Sequence, residues 1–338
     1  MMYRSLLLSF LTLGCAMPVD DFSALEQALN CPNFMCGSNS PEVDNLGMHE
    51  GNVKGLANAN GFRLVKVDKG NKSYRMAVKA GEVVLTPIAG GSTISEYSVA
   101  GATLHFIHDG DNLKYDIRIT QVLKTGFWAH KEGAGGSVYT YLLEWTANAD
   151  PNKVWKNICV KPEAEADPGM DKFHAVIFEG DRIDPLTKRV KGVDTDWFNI
   201  GCAGHALAKM HLTGHTYAAG LRGFHTNLAE RTTMLKTLSA DYCGDGTNFT
   251  VAGVKLTWRD DKGWMRFSPL NAKIEALWTD NGAFCLNEPR LDANPTEEGI
   301  AEFQLGENQK MSDVVAAHCT IPKCPQWTAI YHLVSANP

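Results

Sequence analysis

The sequence predicts an α+β protein, in which a β-rich N-terminal barrel or sandwich precedes a disulfide-stapled α+β domain with two helices. Residues from about 62 to 147 carry β-branched and aromatic runs that glycine-rich turns separate, which is typical of short strands. Helical periodicity is missing from those runs and resumes after Asp150. An even set of cysteines follows the N-terminal segment and indicates disulfide stapling.

The chain begins with a leader that is typical of exported proteins. Arg4 supplies a positive charge, and residues 5–13, SLLLSFLTL, form an apolar core that is too short to span a bilayer. The core runs into TLGC, which resembles a lipobox, so residues 1–15 are predicted to be a signal peptide with lipidation at Cys15. Ordinary cleavage after Ala16 is the alternative. Either route leads to the outer membrane, cell surface or periplasm of a Gram-negative bacterium.

The cysteine count agrees with export. The chain has nine cysteines, and removing or acylating Cys15 leaves eight, which in an oxidising compartment predict four disulfides. Zinc bound with the help of His49 or His318 is the alternative, but the cysteine spacing does not match zinc-finger motifs. The predicted disulfide cysteines are Cys31, Cys36, Cys159, Cys202, Cys243, Cys285, Cys319 and Cys324.

Charge and length restrict the partners and the domain count. The chain has 32 Lys and Arg against 38 Asp and Glu, and no basic stripe, so no nucleic acid is expected as partner. No cofactor is predicted, the ligand is unknown, and the membrane is contacted at most through the N-terminal lipid. The 338 residues suggest two domains, at 61–148 and 149–338, behind a leader segment at 16–60.

The first half of the chain is predicted to contain the leader segment followed by a series of strands. The leader segment is predicted to hold a short helix at residues 22–29 and a small loop closed by Cys31 and Cys36. GAGG at residues 133–136 lies between two predicted strands, which favours a hairpin over a phosphate loop. The predicted strands are residues 62–67, 82–88, 103–108, 115–123 and 138–147.

The second half mixes strands and helices. Helices are predicted within residues 202–217 and at 228–240, the latter with a capping box of Asn227 and Glu230. Gly244 is expected to take the left-handed position that ends this helix, and Asp280-Asn281-Gly282 predicts a hairpin. The predicted strands are residues 156–160, 173–180, 249–258, 272–279 and 283–287.

Three ordered blocks carry a family resemblance. They are FNIGCAGHALAK at 198–209, LSADYCGDGTNFTVAG at 238–253 and KIEALWTDNGAFCLNEPR at 273–290. Together they resemble the exported, myxobacterial-type ADYC-domain proteins, named for the residues at 240–243, over about residues 154–290. The resemblance implies an ADYC-type α+β domain at 149–338 and an export context, and it supplies no reaction.

The resemblance also implies a disulfide pattern. Met210 and Met234 stand where relatives carry cysteines, which implies a lost bridge and two methionines that pack together in its place. The lost bridge leaves four cysteines in the domain. Of their three possible pairings, we favour the one whose two disulfides close loops of similar length, because a disulfide across a loop of that length stabilises the folded protein by about 4 kcal/mol in the chain-entropy model. The expected pairs are Cys31–Cys36, Cys159–Cys202, Cys243–Cys285 and Cys319–Cys324.

The turn at Asp241–Gly246 is the candidate active site, because it gathers acidic side chains and a phenol beside a helix. Cys243 is not expected to be a nucleophile, since the flanking Asp241 and Asp245 would raise the pKa of its thiol. Paired-carboxylate hydrolysis by Asp194, Asp196 or Asp245 with Glu275 is a further possibility for an enzyme. The candidate catalytic residues are Asp241, Tyr242, Asp245, His205 and Lys209.

Three histidines offer an alternative metal site. His211 and His215 are four residues apart, which on a helix places two imidazoles on one face, with His205 nearby. Leu212 follows His211 where the metalloprotease motif needs glutamate, so packed or surface histidines are the default interpretation.

The sequence thus predicts an exported, lipid-anchored binding or structural module of unknown ligand. The alternatives are a secreted hydrolase with its site at the Asp241–Gly246 turn and a metal-binding protein using His205, His211 and His215. An enzyme should show a deep pocket with converging titratable groups. A binding module should show a shallow aromatic patch, with candidates Trp197, Trp258, Trp264 and Trp278.

Overall fold

The computed structural model describes residues 25–27, 40–159, 169–251, 254–264, 273–303, 305–306, 308–325 and 333–337. The strands are β1 Leu25–Gln27, β2 Glu42–Val43, β3 Leu46–Gly47, β4 Glu50–Asn52, β5 Phe62–Lys69, β6 Lys72–Lys79, β7 Glu82–Pro87, β8 Ala102–His108, β9 Lys114–Gly126, β10 Ser137–Ala147, β11 Lys156–Asn157, β12 His174–Asp184, β13 Arg189–Cys202, β14 Val254–Asp260, β15 Lys273–Thr279, β16 Gly282–Leu286 and β17 Leu333–Asn337. The helices are a 3-10 turn at Glu96–Val99 and α1 Ala206–Leu212, α2 Tyr217–Gly220, α3 Leu228–Leu238, α4 Arg290–Ala293, α5 Glu297–Glu302 and α6 Met311–His318.

A ten-stranded antiparallel sheet forms the larger part of the fold. Its order is β4-β13-β12-β10-β9-β8-β5-β6-β7, with β11 paired to β10. The sheet curls, so that the β6–β7 turn meets β12, where the Glu179 carboxylate accepts the Ala80 and Gly81 amides at 2.6 and 3.0 Å. All five strands predicted in residues 61–148 are present, and 133–136 connects β9 to β10 as a hairpin.

The sheet does not divide at the predicted boundary between residues 148 and 149. β12 pairs with β10, and β13 pairs with β12 and β4, so strands from the leader segment and from both predicted domains share one sheet. A second correction is in the leader segment, where residues 25–27 of the predicted helix form β1 and pair with β14. The sequence interpretation made β11 too long, and it missed β2, β3, β4, β6, β13 and β17.

A smaller antiparallel sheet, β1-β14-β17-β15-β16, lies on the other side of the helices. Helix α3 contacts β13 on one side and β15, β16 and β17 on the other, and α1 packs on α3, β12 and β13. The predicted capping box of α3 is present, because the Asn227 side chain accepts the Glu230 amide and Glu230 accepts the Asn227 amide. None of the helices in the described ranges combines the length and hydropathy that a membrane crossing requires.

The two predicted helices are part of a larger helical set. The helix expected within 202–217 is two short ones, α1 and α2, because Gly214 adopts φ 82° between them. Met210 and Met234 are both fully buried in one hydrophobic cluster, on the contacting helices α1 and α3. Their direct contact stays a prediction.

The described residues contain three disulfides. Cys159 is bonded to Cys202, as expected. The other two expected pairs are wrong, because Cys243 is bonded to Cys319 and Cys285 to Cys324. Both bridges tie the segment after α6 to the motif region, a tertiary arrangement that loop length does not reveal. Cys15, Cys31 and Cys36 lie outside the described residues.

Candidate functional site

The Asp241–Gly246 turn begins where α3 ends. Ala240, and not Gly244 as expected, occupies the left-handed position that ends α3, at φ 49°, whereas Gly244 is also left-handed, at φ 76°, but lies four residues further along the chain. The Asp241 amide donates to Lys236 O at 2.9 Å and the Ala240 amide to Thr237 O at 3.2 Å, which is the Schellman pattern of a helix end. Gly244 instead permits a close approach, since a Cβ there would lie 1.9 Å from Asn281 O in the β15–β16 turn.

Asp241 belongs to a buried ion pair. Its Oδ2 lies 2.6 Å from Lys236 Nζ, and both side chains are fully buried. Lys236 Nζ also donates to Thr187 O and Gly244 O, each at 2.9 Å, and the Gly246 amide donates to Asp241 Oδ2 at 2.9 Å. The pair therefore closes the turn onto α3 and is out of reach of a substrate.

Tyr242 belongs to a second buried network. Its hydroxyl donates to Glu275 Oε1 at 2.5 Å and accepts from the Arg290 amide at 3.1 Å, while Arg290 Nε donates to Glu275 Oε1 at 2.8 Å. Burial, followed by the Glu275 charge, raises the pKa of Tyr242 well above its usual value. The ring stacks on Trp278 at 5.4 Å. The phenol thus stays protonated and joins the second and third sequence blocks.

The remaining motif residues are Cys243, which forms a disulfide, and Asp245, which lies on the surface. Cys243 is bonded to Cys319, so no thiol nucleophile exists there. Asp245 lies on the surface, where its Oδ2 is 2.6 Å from His318 Nε2. Burial alone would raise the pKa of Asp245, but hydrogen bonds from His318 and Thr247 outweigh it and lower the pKa to about 2.

The candidate catalytic residues therefore do not form one accessible site. Asp241 and Tyr242 lie in separate buried networks, and Asp245 faces solvent. His205 is the N-cap of α1 and Lys209 lies in its last turn, and both are buried. Glu275 is fully buried against Arg290, so it is unavailable to pair with Asp194, Asp196 or Asp245 in hydrolysis.

The histidines are packed. His211 Nδ1 lies 2.8 Å from Thr216 Oγ1 and the ring stacks on Phe178, and burial lowers its pKa to about 3. His215 follows the end of α1, where its Nδ1 donates to Thr213 O at 2.8 Å, so the two do not share one helical face. Within the described ranges, no group of three or more His, Cys, Asp and Glu side chains is placed to hold a metal ion.

The four tryptophans that were candidates for an aromatic surface patch do not form one on the part of the surface that the structure describes. Trp197, Trp258, Trp264 and Trp278 are all buried, with at most 6% of each residue exposed. Their indole rings pack inside the protein and do not offer a flat platform to a ligand.

A cavity of about 290 Å³ lies between the loop at 47–60, the β12–β13 turn and α1. No sequence pattern predicted this cavity. Ile183, Pro185, Leu186 and Leu207 supply its apolar lining. The polar lining, which we call the polar end, comes from Glu50 on β4, its cross-strand partner Asn199 on β13 and the side chains of the 47–60 loop. The full lining is Gly47, His49, Glu50, Asn58, Ala59, Asn60, Ile183, Pro185, Leu186, Asn199 and Leu207.

Asn58 shapes the polar end of this cavity. Its Oδ1 accepts the Asn60 and Phe62 amides at 3.0 and 2.9 Å, and its Nδ2 donates to Glu50 O at 2.9 Å. The loop is thereby folded back on β4. His49 stacks on His205 with ring centroids 5.4 Å apart, so one predicted site residue, His205, supports the cavity. Burial lowers the pKa of His205 well below its usual value, and its ring is neutral.

Glu50 is the acidic group of the cavity. Its Oε2 lies 3.6 Å from Arg182 Nε, and the Arg182 guanidinium covers the Trp197 ring at 3.6 Å. Burial raises the pKa of Glu50, although Arg182 and the Ala59 amide act in the opposite direction. No sequence pattern predicted a role for Glu50, since GMHEGN at 47–52 matches no motif and lies in the predicted leader segment.

Comparison with known proteins agrees with the motif geometry. The ADYC domain family model matches residues 96–292, which is more than half of the 338-residue chain and includes all three sequence blocks. No curated protein and no solved structure matches the chain. The chain belongs to the ADYC domain family.

Proposed function

We propose that this ADYC-domain protein is an exported binding module, and that the cavity between the 47–60 loop and the β12–β13 turn encloses a small, largely apolar molecule. The observation that carries the proposal is the cavity itself. Its volume of about 290 Å³ and its Ile183, Leu186 and Leu207 wall with a polar end are typical of a small-molecule site.

The alternatives have less support. A hydrolase at the Asp241–Gly246 turn would need a nucleophile or a second carboxylate beside the accessible Asp245, whereas Asp241 is paired with buried Lys236 and Cys243 is bridged. A metal site would need converging ligands, and His211 and His215 bond separately to Thr216 and Thr213.

Export has independent support in the three disulfides, which indicate an oxidising compartment. The proposal adds that residues 1–15 are a signal peptide and that Cys15 carries the lipid that holds the module at the membrane. Mass spectrometry of the membrane fraction should find an N-terminal diacylglyceryl group or cleavage near Ala16. Intact Met1 in a cytosolic fraction would contradict it.

Binding can be tested with an uncharged probe, 2-phenylethanol, in a ¹H–¹⁵N correlation NMR titration. We expect saturable shifts at residues lining the cavity. Ala59→Trp places an indole in the cavity from an exposed position, and it should abolish these shifts. Leu56→Trp is the matched control, because Leu56 is 58% exposed on the same loop and lines no part of the cavity. Equal binding by both variants, or no saturable shift in the wild type, would refute the proposal.

A further inference from the structure

The polar end of the cavity offers acceptors. Asn60 Nδ2 donates to Gly47 O at 2.7 Å, and Asn199 Nδ2 donates to Asp181 O at 2.8 Å. Because each amide nitrogen is engaged with the backbone, each Oδ1 is left as the group that can accept from an occupant. The Glu50 carboxylate adds further acceptor positions beyond the bond from the Ala59 amide.

The charge of the cavity has one sign. None of the described residues that line it is a lysine or an arginine, and Glu50 is its carboxylate. Arg182 approaches Glu50 from a neighbouring cleft that Asp184, Lys191 and Trp197 also line, so its guanidinium does not enter the cavity. At 3.6 Å, Arg182 is beyond hydrogen-bond distance of Glu50 and leaves oxygen lone pairs for another donor.

We propose that the occupant of the cavity is a small amine, with an ammonium group at the Glu50 end and an apolar body against Ile183, Leu186 and Leu207. An ammonium has three N–H donors and no acceptor, which matches the carboxylate of Glu50 and the Oδ1 atoms of Asn60 and Asn199. Charge-assisted hydrogen bonds of this kind are about twice as strong as neutral ones. The inference rests on the proposed binding function and names its ligand class.

Three probes of matched size separate the class of ligand: 2-phenylethylamine, 2-phenylethanol and phenylacetate. Titrated by NMR at pH 7, the amine should bind at least about tenfold more tightly than the alcohol, a difference of about 1.4 kcal/mol, and phenylacetate should bind most weakly. Tightest binding by phenylacetate would overturn the inference.

Glu50→Gln should remove the preference for the amine while 2-phenylethanol still binds, which shows that the variant is folded and the cavity open. Glu82→Gln is the matched control. Glu82 lies 3.8 Å from Arg222 with similar side-chain exposure to the Glu50–Arg182 pair, and it lines no part of the cavity. An amine preference that survives Glu50→Gln refutes the inference. Failure of all three probes in the wild type instead refutes the binding function itself.

Discussion

Replacing Tyr242 by phenylalanine tests whether the ADYC motif acts as a structural clamp. The substitution removes one oxygen and keeps the ring that stacks on Trp278. That oxygen donates to Glu275 at 2.5 Å and accepts from the Arg290 amide at 3.1 Å, and all three side chains are buried. The change therefore removes hydrogen bonds without opening a cavity of the size that loss of the ring would leave.

The expected loss follows from the charge of the partner. A hydrogen bond to a charged group contributes about 1.5–3 kcal/mol to stability, compared with about 1 kcal/mol for a neutral pair. Arg290 Nε still bonds to Glu275 at 2.8 Å, so the carboxylate is not left alone. We expect Tyr242→Phe to lower the free energy of unfolding by about 2 kcal/mol, well short of the loss of about 3–5 kcal/mol for breaking a buried ion pair.

Urea unfolding with the disulfides intact, followed by tryptophan fluorescence, measures this difference. Tyr97→Phe is the control, because Tyr97 is 52% exposed, and its free energy of unfolding should stay within about 0.5 kcal/mol of the wild type. If Tyr242→Phe behaves like Tyr97→Phe, the hydroxyl has no structural role and the clamp interpretation fails.

Two further predictions concern stability. Gly244→Ala should lower the free energy of unfolding by about 2–4 kcal/mol, because the new Cβ meets Asn281 O at 1.9 Å in addition to the left-handed strain. Gly70→Ala, at φ 58° in open space, should show only the strain of about 1–2 kcal/mol, and equal losses in urea unfolding would contradict the close approach. Burial lowers the pKa of His211 to about 3, so between pH 6.5 and 3 the unfolded chain binds a proton that the folded protein excludes. The free energy of unfolding should therefore fall as the pH drops below 6.5, and His211 should contribute about 1.4 kcal/mol of this fall per pH unit. His211→Gln should make the free energy of unfolding less dependent on pH in this range. An unchanged pH dependence would exclude His211 as its source.

Much of the secondary structure could be predicted from local sequence patterns. Strands such as β8 and β9 were predictable from the alternation of apolar and polar residues. The start of α3 was predictable from Asn227 and Glu230, which are three residues apart and form its capping box. Non-local pairings were not predictable. Nothing in the sequence around Cys243 distinguishes Cys285 from Cys319 as its partner, because the choice depends on where α6 lies in three dimensions.

The candidate site shows the same limit. The ADYC block can be recognised in the sequence. Only the structure shows that the side chains of Asp241 and Tyr242 are buried and form hydrogen bonds inside the protein. Conversely, Glu50 and Asn199 are far apart along the chain and belong to no motif, and they line one cavity only because β4 pairs with β13. His205, predicted as a catalytic or metal-binding residue, is buried behind His49, whose ring it stacks on.

One NMR titration with 2-phenylethylamine tests both whether the ADYC motif stabilises the fold and whether the cavity binds the ligand. Tyr242→Phe, although less stable, should bind the amine with a Kd within about twofold of the wild type, and Ala59→Trp should show no saturable binding although it is folded. If folded Tyr242→Phe loses the amine while Ala59→Trp keeps it, the functional site lies at the motif and the account is wrong.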